Sequence, residues 1–405
     1  MGTSNKIIAV LAGLVAIGLA AGSARAGDKE LTIGVLTDLS SFAASSMGPG
    51  SVVATKLAVQ DFGGSVLGKP IKVIQADMQS RPDLAVQLAQ HWYDVDGVDV
   101  IVDVPASAAA ITIQRMAYEK HKMFLATVAA TSELTGKTCT PTSVQWGIDS
   151  VGTAGGMVAA MKQENVHNWF LIMPDYAIGK AMASATATAV ARTGGKVAQT
   201  IFFPPNTTEY SQYLIEAQNS GADVIGAGGI GKDLVNLIKQ AGEFHILPSS
   251  KQRLAAFLMN LSDVDAIGLK TLGGVWVVQD FYWDTNDETR AYAKKFFAVH
   301  HKMPNFTQSA NYSGVLAYLS AVKAVGSDDP VKVVAYLKAH KFDHLGEPAT
   351  VREDGRAMFD VGLYQVKSPA ESKYPWDYLK LMRTIPAADA FTPLSESTCP
   401  LVKKG

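Results

Sequence analysis

From residue 31 onward, short β-rich apolar runs alternate with longer segments of helical period, and this is the sequence form of a parallel α/β sheet wound on both faces. Strands are predicted at 31–36, 71–76, 98–102 and 123–127, with helices over 51–61, 81–94 and 107–120 between them. After 143–149 the plan starts again. Helix 151–163, strand 169–173, helix 177–192, strand 196–202, helix 210–218 and strand 222–225 make a second unit. No repeat is visible residue by residue, so the duplication is one of architecture.

The remainder, with a strand at 274–278, helices at 289–301, 309–325 and 330–340 and short strands over 358–366, lacks the parts of a third domain and must cover sheets that already exist. The expected assembly has a first lobe of 27–149 and 280–346, a second of 150–279 and 347–367, and a C-terminal tail of 368–405. Several strands crossing between two lobes favour hinge closure over a cleft.

Lys6 followed by an apolar run over 7–20 and Ala24-Arg25-Ala26 reads as a secretory signal peptide cleaved after Ala26; the run is shorter than a membrane span requires. Formal net charge is −1, and −3 once Lys6 and Arg25 are removed, with no basic run, which argues against a nucleic-acid partner. The two cysteines, Cys139 and Cys399, would then share an oxidising compartment. Pairing is the economical expectation, worth about 4 to 5 kcal/mol by chain entropy for so long a loop. Two separate buried thiols are the alternative.

In open α/β sheets ligands sit beyond the carboxyl ends of strands, where helix N-termini aim free N–H groups at the crevice. Two first-lobe loops at such places are rich in small residues and hydroxyls: Asp103-Val-Pro-Ala-Ser107 and Ala126-Thr-Val-Ala-Ala-Thr131-Ser132. Ser107 and Thr131 stand where they could simply cap the structures that follow, yet together they would make a carboxylate receptor without a charged side chain.

The order of segments, Ala106-Ser107, and Ala129-Ala130-Thr131 with Glu133-Leu134-Thr135 behind it resemble the type I periplasmic binding proteins, and most of all their leucine/isoleucine/valine-binding group. The likeness extends to Asp175-Tyr176, Asp280-Phe-Tyr-Trp-Asp284 and the tail around Cys399. It implies two doubly wound parallel-sheet lobes joined by a multi-strand hinge. It also implies a monomeric periplasmic receptor for a small carboxylate that serves an ABC permease and its ATPase subunits at the inner membrane, with no cofactor, no metal and no catalysis. On this resemblance Ser107, Thr131 and the Ala129 backbone bind the carboxylate, with Ala106 beside them, and Tyr176 closes over the ligand from the second lobe.

One position departs from the amino-acid binders of that group. Where they place an acid for the ligand ammonium, this chain has Phe257, in Leu254-Ala-Ala-Phe-Leu258, and a buried ammonium without a counter-ion costs several kcal/mol. Gly226 and Ala227 also replace an aromatic contact, leaving room for a ring. The expected ligand is therefore an aromatic or apolar organic acid. Gly226-Ala-Gly228-Gly-Ile-Gly231 fits a dinucleotide fingerprint and supports a rival, a secreted NAD/FAD-dependent oxidoreductase, but no acid-terminated strand follows at the usual spacing. Gly228 more simply lets the backbone approach the cleft. A sensory subunit on the same fold is a third reading.

Overall fold

The computed structural model describes Met1 and residues 30–403 apart from 42, 206 and 247–251. The signal segment and its cleavage point lie outside the described residues.

Strands β1 (Leu31–Thr37), β2 (Ser65–Val66), β3 (Lys69–Asp77), β4 (Val100–Asp103), β5 (Met123–Ala126) and β6 (Ser143–Gln145) form one sheet in the order β2-β3-β1-β4-β5-β6. It is parallel except for the short β2–β3 pairing. β1 is buried along its whole length, as a strand covered on both faces must be. Gly34 at its middle is a steric necessity, because a Cβ there would lie 2.6 Å from the Trp92 ring that packs across the sheet. Helices Pro82–His91 and Ser107–Glu119 lie on one face, and Gly48–Phe62 and Phe306–Val325 on the other.

The second lobe begins with β7 (Asn168–Pro174), β8 (Lys196–Phe203), β9 (Val224–Ala227), β10 (Arg253–Ala256) and β11 (Trp276–Gln279). The chain then returns to the first lobe for its later helices and for a small antiparallel sheet of β12 (Lys341–His344), β13 (Glu347–Val351) and β14 (Ala357–Met358). Finally β15 (Val361–Val366) and β16 (Leu379–Ile385) complete the second sheet, in the order β16-β15-β11-β10-β9-β7-β8. Its first five strands run parallel, while β15 pairs antiparallel with both β11 and β16, so this sheet is mixed.

Two details depart from the expected lobe limits. β13 pairs with β12 beside the first lobe, so the chain re-enters the second lobe at β15 and not at 347. The segment after 368 is no loose tail: its β16 is an edge strand of the second sheet. Leu379 and Ile385 at its ends are buried, but Lys380, Leu381 and Met382 between them are exposed, which erases the period-two pattern that would have marked it.

Three passages of chain cross between lobes, after β6, after β11 and between β14 and β15. The tail makes a fourth: its short helix Ala387–Ala390 packs on helix Ser150–Lys162, and the Cys139–Cys399 disulfide ties it back to the first lobe. Arg356, 1% exposed, gathers these passages. Its Nη2 donates to the Gly147 carbonyl at 2.5 Å and its Nε to that of Ala357 at 3.0 Å; Nη1 lies 3.5 Å from Asp149, and the guanidinium stands 4.7 Å from the Phe391 ring. Nearby, His344 Nε2 lies 3.8 Å from Asp280 Oδ2. Burial pushes Asp280 up to about 7 and His344 down to about 4, so this contact is not an ion pair at neutral pH. Arg356→Ala strands the buried Asp149 and Gly147 oxygen, and urea unfolding should show a loss of about 3–5 kcal/mol. A loss below about 1 kcal/mol would contradict this role for the hinge arginine.

Candidate functional site

The carboxyl edge of the first sheet is shaped by buried polar groups. Asp103, which ends β4, is fully buried with φ 78°, and Val104 follows at φ 58°. Such left-handed backbone at two non-glycine residues is held by its surroundings. The Asp103 N–H donates to Thr127 Oγ1 at 3.1 Å, Thr127 Oγ1 donates to Asn311 Oδ1 at 2.9 Å, and Asn311 Nδ2 donates to the Asp103 carboxyl at 3.2 Å. The sharp turn delivers Pro105 and Ala106 to the start of helix Ser107–Glu119. Ala106 is its N-cap, and no side chain caps it. The first-turn N–H groups are therefore left for another acceptor, and Ser107 and Ala108 line a cavity of about 340 Å³.

The neighbouring loop after β5 is tied from behind. Gln145 Nε2 donates to the carbonyls of Ala129 and Thr131, each at 2.9 Å, and the Ser150 N–H donates to that of Ala130 at 2.8 Å. With its carbonyls engaged from behind, the loop presents Val128 and Ala130 to the cavity.

The second lobe supplies the opposite wall. Tyr176 is the N-cap of helix Ala177–Arg192, again without a side-chain capping bond, and Tyr176, Ala177 and Ile178 all line the cavity. Burial, with Asp233 nearby, raises the Tyr176 phenol far above its usual range, so it remains a hydrogen-bond donor. Uncapped helix N-termini from both lobes, among them those at Ser107 and Ala177, thus open onto one cavity, and none of the described lining residues is Asp, Glu, Lys, Arg or His. That favours an anion held by backbone dipoles, with an apolar body.

A family model described as "Periplasmic binding protein" matches residues 30–373. The chain belongs to the periplasmic binding protein family. A periplasmic binding protein from Burkholderia mallei is 40% identical, with 92% of this chain and 99% of that one covered at a TM-score of 0.87. A branched chain amino acid ABC transporter periplasmic ligand-binding protein from Burkholderia xenovorans LB400 is likewise 40% identical, covering 92% and 100% at 0.86. An R. palustris ABC transporter solute-binding protein in complex with benzoate shares the fold at 20% identity, covering 88% and 97% with a TM-score of 0.78. Family and fold are those of transporter solute-binding proteins, which are not enzymes and act in the periplasm; no described helix is long and apolar enough to cross a membrane.

In this periplasmic binding protein Ala106, Ser107 and Tyr176 line one cavity, and the other residues singled out by sequence lie behind it. Thr131 caps the short turn Ser132–Leu134, its Oγ1 accepting from the Glu133 N–H at 3.3 Å, and Ala129 is buried one residue from the lining Ala130. Phe257 is fully buried against Gly226, and the next residue, Leu258 at φ 61°, faces the cavity with Asn260. Gly228 is needed for packing, since a Cβ there would lie 2.3 Å from Met173 Sδ; Ile230 is the lining residue of that turn. After the dinucleotide-like turn, β10 ends in Ala256 with no acid for a ribose. Sequence reading also missed Ser80, Ile148 and Phe306 in the wall and Gln145 behind it, which carry no motif and come together only when distant segments of the first lobe fold.

Behind this wall, burial above all, and the neighbouring Asp38, push Asp103 up to about 7 against hydrogen bonds that favour its charged form. Between the ordinary carboxylate range and 7 the folded chain keeps a proton that the unfolded chain has lost. The contribution to stability is complete at low pH and is lost as pH rises through about 7. Melting temperatures of Asp103→Asn should gain on the unaltered protein as pH rises from about 4 to about 8. A difference independent of pH would contradict the assignment.

Proposed function

We propose that this protein is the ligand-receiving subunit of an ABC importer, and that its ligand is a small aromatic or apolar carboxylate. The observation that carries the reading is the meeting of uncapped helix N-termini from both lobes at a cavity whose described lining residues include no charged side chain. The carboxylate is taken by the N–H groups of the loop at 129–131 and of Ser107 and Ala108, with the Ser107 hydroxyl as a further donor. Thr131 serves this anion site by shaping its loop, and Tyr176 closes over the ligand.

Met47, Pro82, Val128, Ile148, Ile230 and Leu258 offer an apolar enclosure for the ligand body. Burying about 150 Å² of ring contributes about 4 kcal/mol before ordering costs. An amino acid would bring its ammonium into a wall without a carboxylate, a loss of several kcal/mol. Benzoate bound to a protein of this fold from R. palustris is in keeping with an aromatic acid here. Closure around the acid excludes water, and the closed form is what a membrane permease with its ATPases would recognise.

Titration calorimetry against benzoate, 3-phenylpropanoate and leucine tests the reading. An aromatic acid should bind at least ten-fold more tightly than leucine, and Ser107→Ala should weaken it by about 1 kcal/mol. Tighter binding of leucine than of either aromatic acid would overturn the ligand class.

A further inference from the structure

The cavity has a further polar feature where the loop after β3 meets it, just before helix Pro82–His91. Ser80, in the loop that follows β3, lines the wall, and its hydroxyl is already committed: Ser80 Oγ donates to Asp38 Oδ2. Asp38, 1% exposed at the end of β1, also accepts from the Ser41 N–H at 3.1 Å and from the Ser41 hydroxyl, and the two serine oxygens lie 2.5 Å apart. With its proton donated to Asp38, the Ser80 oxygen keeps lone-pair capacity for an incoming donor. Ser80 is held with φ 52°, next to Gln79 at 52°, so the loop has little freedom to present the hydroxyl otherwise.

Strand register places this acceptor relative to the anion site. Thr37 pairs with Asp77, and Leu36 with Asp103, so the loops bearing Ser80 and Ser107 leave the same edge of the sheet from β3 and β4, with β1 between them. Two strand spacings separate them by about 10 Å. The Ser107 side of the cavity thus offers N–H donors, whereas the Ser80 hydroxyl, its proton given to Asp38, offers an acceptor beside the start of helix Pro82–His91.

We infer that Ser80, positioned by Asp38, is a specificity-determining residue that accepts a hydrogen bond from a hydroxyl at the far end of the ligand, so that the preferred ligand is a monocarboxylate whose hydroxyl is set apart from the acid by a ring and a short linker. The inference rests on the carboxylate reading above. It fixes the direction of binding, acid toward Ser107 and hydroxyl toward Ser80, and it excludes dicarboxylates of the same length.

The test uses calorimetry with 3-phenylpropanoate, 3-(4-hydroxyphenyl)propanoate and 3-(4-methoxyphenyl)propanoate, on the unaltered protein and on Ser80→Ala. The hydroxylated acid should bind about ten-fold more tightly than the plain acid, and the methoxy acid, which has no proton to donate, more weakly than the hydroxylated one. In Ser80→Ala the preference for the hydroxylated over the plain acid should fall to within about two-fold. Equal or tighter binding of the plain acid by the unaltered protein overturns the inference and leaves the carboxylate reading standing. A hydroxyl preference that survives in Ser80→Ala overturns it as well. Failure of all three acids to bind sinks both.

Discussion

A parallel sheet sends every strand out through the same edge, and every following helix begins there with N–H groups that find no acceptor within the helix itself. The rest of this molecule is arranged around that constraint. Each lobe turns such an edge toward the other, and helices Ser107–Glu119 and Ala177–Arg192 reach the interlobe cavity with no side chain at their caps. Other helices are capped, by Asp149, Asn286, Asn305 and Asp329, while several are not, so it is the meeting of uncapped N-termini from both lobes at one cavity, and not the missing caps alone, that marks where an acceptor belongs.

The same economy governs the groups behind the wall. Gln145 and the Ser150 N–H consume the carbonyls of the loop at 129–131, and Asp103 with Thr127 and Asn311 fixes the turn into Ser107. These are positioning residues: they touch no cavity, but they decide which way the donors point. The hinge follows a similar rule with charge. Arg356 collects carbonyls, a carboxylate and two aromatic faces from separate crossings of the chain, while the tail is stapled back through Cys139 and Cys399.

Much of this is legible in the sequence where one physical signal dominates. The helix at 177–192 is bounded by Tyr176 and by Thr193-Gly194-Gly195, and it lies where its period puts it. β10 escaped notice because four residues with two alanines carry no pattern, and β16 because an edge strand exposed on its central residues mimics a loop. The site was legible at the level of loops and less so of residues. Successive side chains point to opposite faces, so a reading that is off by one residue exchanges a core position for a lining one; this is why Phe257 lies beneath the wall while Leu258 forms it. At Thr131 the competing principle of capping took the hydroxyl, and the backbone of the same loop was left facing the cavity. Ser80 had no signal at all, since its meaning depends on Asp38 from another strand.

The central claim is that backbone donors of the first lobe, with no charged side chain to help them, hold the acid end of the ligand. A crystal structure of the protein with an iodinated aromatic acid tests it most directly, because the anomalous signal of iodine fixes the direction of the molecule in the cavity. The account predicts carboxylate oxygens about 3 Å from the N–H groups of Ser107 or Ala108 and of the loop at 129–131, with iodine pointing away from them. A carboxylate seated at the Ser80 end, or an acid bound outside the space between the lobes, would contradict it.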